Sequence, residues 1–104
     1  MTMQIYKVSI AKELSPDLAL RDVASSFMNK MANVDSDEVE IDFEGVESIT
    51  RSFAHEYLTR KRAMTIILSE VNVPANVRKM FAIIQNSEMR PRFDALRNAP
   101  IIKI

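Results

Sequence analysis

The stretch Val39-Glu-Ile-Asp-Phe-Glu-Gly-Val-Glu-Ser-Ile-Thr-Arg-Ser-Phe-Ala-His-Glu-Tyr-Leu58 changes its hydrophobic period partway along. In its first part Val39, Ile41 and Phe43 alternate with Glu38, Glu40, Asp42 and Glu44. A period of two describes a strand with one buried side. After Gly45 the period lengthens. Phe53, Ala54, Tyr57 and Leu58 recur at helical spacing, with His55, Glu56, Thr59, Arg60 and Arg62 on the other side. Gly45 permits a turn geometry that other residues resist. Thr50 or Ser52 can cap the helix by accepting an orphan backbone N–H. The acidic side of the strand cannot all lie under a helix, because buried unpaired carboxylates cost too much. That side is expected to be open, or to carry acids that reach water at its ends.

Upstream, Gln4 to Ile10 mixes Ile, Tyr and Val with polar residues and predicts a first strand. Ser15-Pro16-Asp17 predicts a helix start, since serine caps, proline suits the first turn and aspartate favours the dipole. Leu20, Val23, Ala24, Phe27 and Met31 then form an apolar stripe, and Asn33 to Asp37 is a polar turn. Downstream, Met64 to Leu68 is a continuous apolar run, expected as a strand buried on both faces. Pro74 opens a further helix striped by Val77, Met80, Phe81 and Ile84. Asn86 to Pro91 breaks it, Phe93 to Leu96 adds a helical turn, and Ile101 to Ile104 is a short last strand. Helical crossovers between strands favour parallel pairing. The expectation is one α/β domain over residues 1–104, with a sheet of about four mainly parallel strands and about three main helices. Met64 to Leu68 is expected at its centre, with Val23 and Phe27 buried against it.

Composition narrows the chemistry. The chain has 104 residues, enough for one domain. It has no cysteine, which excludes disulfides, thiolate metal sites and a cysteine nucleophile. That fits a reducing cytosol, and a cytoplasmic location is expected. Met1 to Ile10 reads as neither a signal peptide nor a membrane span. A single glycine disfavours a loop that cradles phosphate through several close backbone N–H groups. Net charge is zero, yet residues 1–50 carry ten acids against four bases, and residues 51–104 carry the reverse, ten bases against four acids. Mutual attraction of the two halves, or of two subunits, is the plain reading. A basic face for nucleic acid is the alternative.

The central stretch resembles the STAS fold of the anti-sigma-factor antagonists, and more closely the prokaryotic STAS-like domains of unknown function. The resemblance is carried by Asp42-Phe43 ending a strand, Gly45-Val46 turning, Ile49, and Ser52-Phe53-Ala54 starting a helix. A helix beginning near Arg21-Asp22 and a Met-containing helix around Met80 agree in order. In the antagonists the matching loop carries Asp-Ser-Ser-Gly, whose second serine is phosphorylated by a partner kinase. Those places hold Thr50, Arg51, Ser52 and Phe53 here, so only Ser52 is kept. The resemblance implies a regulatory protein-binding module rather than an enzyme. Its contact surface would be Ser48, Thr50, Arg51, Ser52 and His55, with Ser52 as the phosphoryl acceptor and an ATPase or kinase-like regulator as partner.

Other candidate chemistry reads more plainly. His55, the only histidine, shares an outward helix face with Glu56 and Thr59 and reads as a solvated side chain. Asp42, Glu44 and Glu47 match no loop whose carbonyls would complete a metal shell, and read as a strand-end charge cluster. Arg60-Lys61-Arg62, Arg78, Lys79, Arg90, Arg92 and Arg97 suit a solvated or dimer-facing role better than nucleic acid, since Tyr57, Phe81 and Phe93 lie on apolar stripes. The seven methionines mostly fall at core spacing. Neither cofactor nor metal is expected. The opposed charges of the two halves suggest a salt-sensitive homodimer.

Overall fold

A computed structural model describes residues 4–86. Strand β1 (Ile5–Ser9) runs into a single helical turn, α1 (Ile10–Glu13), whose start is capped by the Ser9 hydroxyl accepting from the Lys12 N–H. A two-residue strand, β2 (Asp17–Leu18), precedes helix α2 (Arg21–Ala32). Strand β3 (Glu38–Asp42), the short β4 (Ser48–Ile49), helix α3 (Arg51–Ala63) and strand β5 (Ile67–Val71) follow. A further helix, α4, occupies residues 75–86.

The main sheet has the order β1-β3-β5, all parallel, with Ile5, Glu38 and Ile67 in register at one end and Ser9, Asp42 and Val71 at the other. A separate pair joins β2 to β4, also parallel. Both crossovers step in the same direction, and a right-handed crossover then puts α2 and α3 on the same face of the sheet. There they pack against each other, with Ala24, Phe27, Met28 and Met31 from α2 and Phe53, Ala54, Tyr57 and Leu58 from α3 buried. Spacings of three and four along each helix make that face continuous. Helix α4 adds Val77, Phe81 and Ile84. Its Phe81 ring stacks on Tyr57 at 5.3 Å, and Phe43 meets both rings edge-on at 5.9 and 6.1 Å.

The α/β class and the parallel pairing are as the sequence predicts. The main sheet among the described residues has three strands rather than about four. The expected strand Ile101 to Ile104 and the turn at Phe93 to Leu96 lie outside the described residues. The central strand is β3, not Met64 to Leu68. Helix α3 continues to Ala63, the Met64 N–H closes its last turn onto the Lys61 carbonyl, and the strand starts only at Ile67. Strand β5 is buried on neither face: Ile67 is 57% exposed and its other residues are half-buried. The open face of the sheet carries Ile5, Lys7, Glu38, Glu40, Ile67 and Ser69, the first of the two arrangements that the acidic alternation of β3 allows.

Ser15-Pro16-Asp17 does not start a helix. The Ser15 hydroxyl accepts from the Asp17 N–H, and the Pro16 carbonyl accepts from the N–H groups of Glu47 and Ser48. The segment is thereby spent on β4, and α2 begins at Arg21. Phe27 is buried as expected, whereas Val23 is only half-buried.

Candidate functional site

The chain between β3 and α3 is fixed by its own backbone chemistry. The Asp42 carboxylate accepts from the Glu44 N–H at 2.9 Å and from the Asn72 side-chain amide at 3.0 Å. These two bonds, then the nearby Lys12 charge, hold its pKa below the ordinary value. Asp42 is thus occupied as a turn-forming acceptor. The Val46 N–H then closes a turn onto the Phe43 carbonyl, with Gly45 at φ +91° in the position where such a turn requires positive φ. The Asn76 side chain donates to the Glu47 carbonyl and ties this loop to the start of α4.

The next residues are held from the side of β2. The Ser48 hydroxyl donates to Asp17 at 2.7 Å, and the Thr50 N–H donates to the Leu18 carbonyl at 2.9 Å. The Thr50 hydroxyl donates to the Ala19 carbonyl at 2.7 Å and accepts from the Phe53 N–H at 3.2 Å. One threonine side chain thus caps α3 and fastens it to the segment that leads into α2. Of the two cap residues the sequence allowed, the structure uses Thr50.

All five residues of the expected contact surface are exposed: Ser48, Thr50, Arg51, Ser52 and His55. They divide into two sets. Ser48 and Thr50 turn their hydroxyls to Asp17 and Ala19 and serve as fasteners. Arg51, Ser52 and His55 lie within the first turns of α3, and spacings of three and four put His55 on the same side as both others. No acid occurs in the first turn of α3, so the positive end of its dipole is not offset there.

Sequence reasoning missed the supporting layer. Asp17, Leu18 and Ala19 hold Ser48 and Thr50, yet a two-residue strand has no periodicity to detect. Glu56 is half-buried rather than solvated. It accepts from Arg60 at 2.8 Å and pairs with Arg21 at 3.7 Å. Beneath α3, the buried Tyr57 hydroxyl donates to Glu70, which Lys61 also contacts at 3.1 Å. Burial, then the Glu70 charge and hydrogen bond, raise the Tyr57 pKa well above its ordinary value. Among the described residues, no helix is long and apolar enough to cross a membrane.

No curated protein and no solved structure matches the chain. One protein-family model does match. It begins inside α2, takes in β3, the Gly45 turn and β4, and ends near the close of α3, leaving β2, β5 and α4 outside the match. Over residues 24–60 the chain matches the STAS-like domain of unknown function (DUF4325), the family that the Asp42 to Ala54 motif resembles.

Proposed function

We propose that this protein is a non-enzymatic regulatory module that binds another protein through the exposed start of α3. The observation that carries the reading is the way the scaffold presents the start of α3. The Ser48 and Thr50 hydroxyls, bonded to Asp17 and Ala19, fix that start in place, and Arg51, Ser52 and His55 are exposed on one side of it. A rigid element presenting exposed side chains is a common way to build a contact site. Arginine is enriched among residues that anchor interfaces, and its planar fork suits carboxylate or phosphate. The partner class supported by the STAS resemblance is an ATPase or kinase-like regulator in the same cytoplasm. A phosphoryl group on Ser52 would lie at a helix N-terminus whose dipole favours it.

The nucleic-acid reading draws less support. Arg60 and Lys61, two members of the basic run, are paired with Glu56 and Glu70. Arg78 donates to the Val73 carbonyl.

Pull-down from the native cell followed by mass spectrometry identifies the partner, and calorimetry then measures its affinity. Arg51→Ala is expected to weaken binding by about 1 kcal/mol, roughly fivefold in Kd, with the unfolding midpoint little changed. If Arg51→Ala, Ser52→Ala and Ser52→Asp all bind as tightly as the parent, this surface is not the interface.

A further inference from the structure

Val23 is half-buried because it walls a groove. Val23 and Leu14 are shared by two adjoining hollows beside α2. The first, about 200 Å³, reaches down to the buried Leu18 and Phe53 and is edged by Leu20. The second, about 360 Å³, extends along α2 to Phe27 and Lys30. A cavity of roughly 150 Å³ lined by aliphatic side chains takes up benzene, so the first hollow has room for one leucine- or phenylalanine-sized side chain. Leu20 itself is 65% exposed, more than any other large apolar residue among those described. It occupies the N-cap of α2, where leucine makes no side-chain cap bond and is a disfavoured residue.

The rim has a sign. Glu13, Asp17 and Asp22 line the two hollows with Lys30 as the single base, and Lys30 is already paired with Glu13 at 3.0 Å. An apolar trough edged by excess carboxylate complements an apolar side chain flanked by cations.

We propose that this groove docks a basic amphipathic helix of a protein partner. One leucine- or phenylalanine-sized side chain enters between Leu14, Leu18 and Phe53, and lysine or arginine faces Asp17 and Asp22, the carboxylates that Lys30 does not pair. Helix-in-groove recognition reads such anchors at helical spacing. The proposal rests on the reading of the α3 start as a contact surface and deepens it. Phe53 belongs to the first turn of α3, and Thr50 is bonded to Ala19, so the groove and that surface adjoin.

The test is an NMR titration of the full chain with a helical peptide of leucine and lysine, and with its glutamate counterpart. Saturable shifts centred on Leu14, Leu20, Val23 and Phe53 are expected with the lysine peptide, at an affinity at least tenfold above that of the glutamate peptide. Leu20→Asn separates docking from folding, because asparagine is a favoured N-cap. It should keep or raise the unfolding midpoint while weakening the lysine peptide at least fivefold. Four results would each overturn the proposal. They are equal binding of the two peptides, shifts centred instead on Glu38 and Glu40, shifts that follow protein concentration without peptide, and a Leu20→Asn chain that binds as the parent does. Any of these beside an intact Arg51→Ala effect on the captured partner removes the groove and leaves the α3 surface standing.

Discussion

Two helices begin side by side in this molecule, and they begin differently. Helix α3 starts at Thr50, whose hydroxyl both accepts from Phe53 and donates to Ala19. Helix α2 starts at Leu20, which has no side-chain cap and points its apolar side chain into solvent. The Val23 and Ala24 N–H groups close onto the Leu20 carbonyl alone. In the first case local chemistry and position agree. In the second, tertiary structure overrides local preference, because Asp17 and Leu18 are drawn into pairing with Ser48 and Ile49 and the helix must wait until that pairing ends. A residue kept where propensity disfavours it is a candidate for a task other than stability.

The sharpest way to break the comparison is to remove volume at two successive turns of α2, the helix whose start is uncapped. Phe27 is 3% exposed and lines only the second hollow, whereas Val23 is half-buried and lines both. Phe27→Ala should cost about 3–5 kcal/mol, measured by urea unfolding, as for a large core truncation. Val23→Ala should cost about 1 kcal/mol, the common size of a point-mutant loss, because the groove already leaves one side of the valine without neighbours. Equal losses at the two positions would show that α2 is closed along its whole length and that the groove has no room to offer.

Thr50→Ala comes next. The substitution removes a cap, whose loss typically costs about 1 kcal/mol and up to about 2. It also deletes the hydroxyl bond to Ala19, a bond worth about 0.5–1.5 kcal/mol net. Thermal unfolding should therefore report a loss of about 1.5–2.5 kcal/mol, with Thr50→Ser recovering most of it. A loss no greater than that of an ordinary surface change would mean that α3 is held by its buried face alone.

The same contrast explains what the sequence could and could not reveal. Elements with a strong period were legible: β3, from Val39 and Ile41 against Glu38 and Glu40, and α3, from Phe53, Ala54, Tyr57 and Leu58. The open face of the sheet was one of the two arrangements that carboxylates at every second position of β3 allow, the other being acids that reach water at the strand ends. Met64 to Leu68 misled because an apolar run states hydrophobicity without stating neighbours. Three of its five residues belong to the α3–β5 connection, where Met64 and Ile66 pack on the core from outside the sheet. Ser15-Pro16-Asp17 misled because its helix-start chemistry is equally turn chemistry, and the choice is made by Glu47 and Ser48, far along the chain. Leu20 was counted into an apolar stripe whose buried members are Ala24, Phe27, Met28 and Met31. Of the proposed contact surface, the bonds by which Ser48 and Thr50 fasten the loop were not legible. They depend on Asp17 and Ala19, which no local pattern links to Ser48 and Thr50.

The smallest expected effect is the most informative about the surface. Ser52 lies one residue inside α3 and is exposed, and the cap belongs to Thr50. Ser52→Ala should therefore change stability by no more than about 0.5 kcal/mol, unlike Thr50→Ala two residues earlier. Ser52→Asp should stabilise by about 0.3–1 kcal/mol at low salt, since a carboxylate in the first turn meets the positive end of the dipole and no other acid occupies that turn. The gain should shrink as salt is added, because exposed charges are screened. Paired urea titrations of the two variants at low and high salt measure both quantities. A Ser52→Ala loss as large as that of Thr50→Ala would make the serine a second fastener and remove it from the exposed set. With the cap assigned to Thr50, a change in partner affinity at Ser52 that arrives without a change in stability reports contact rather than folding.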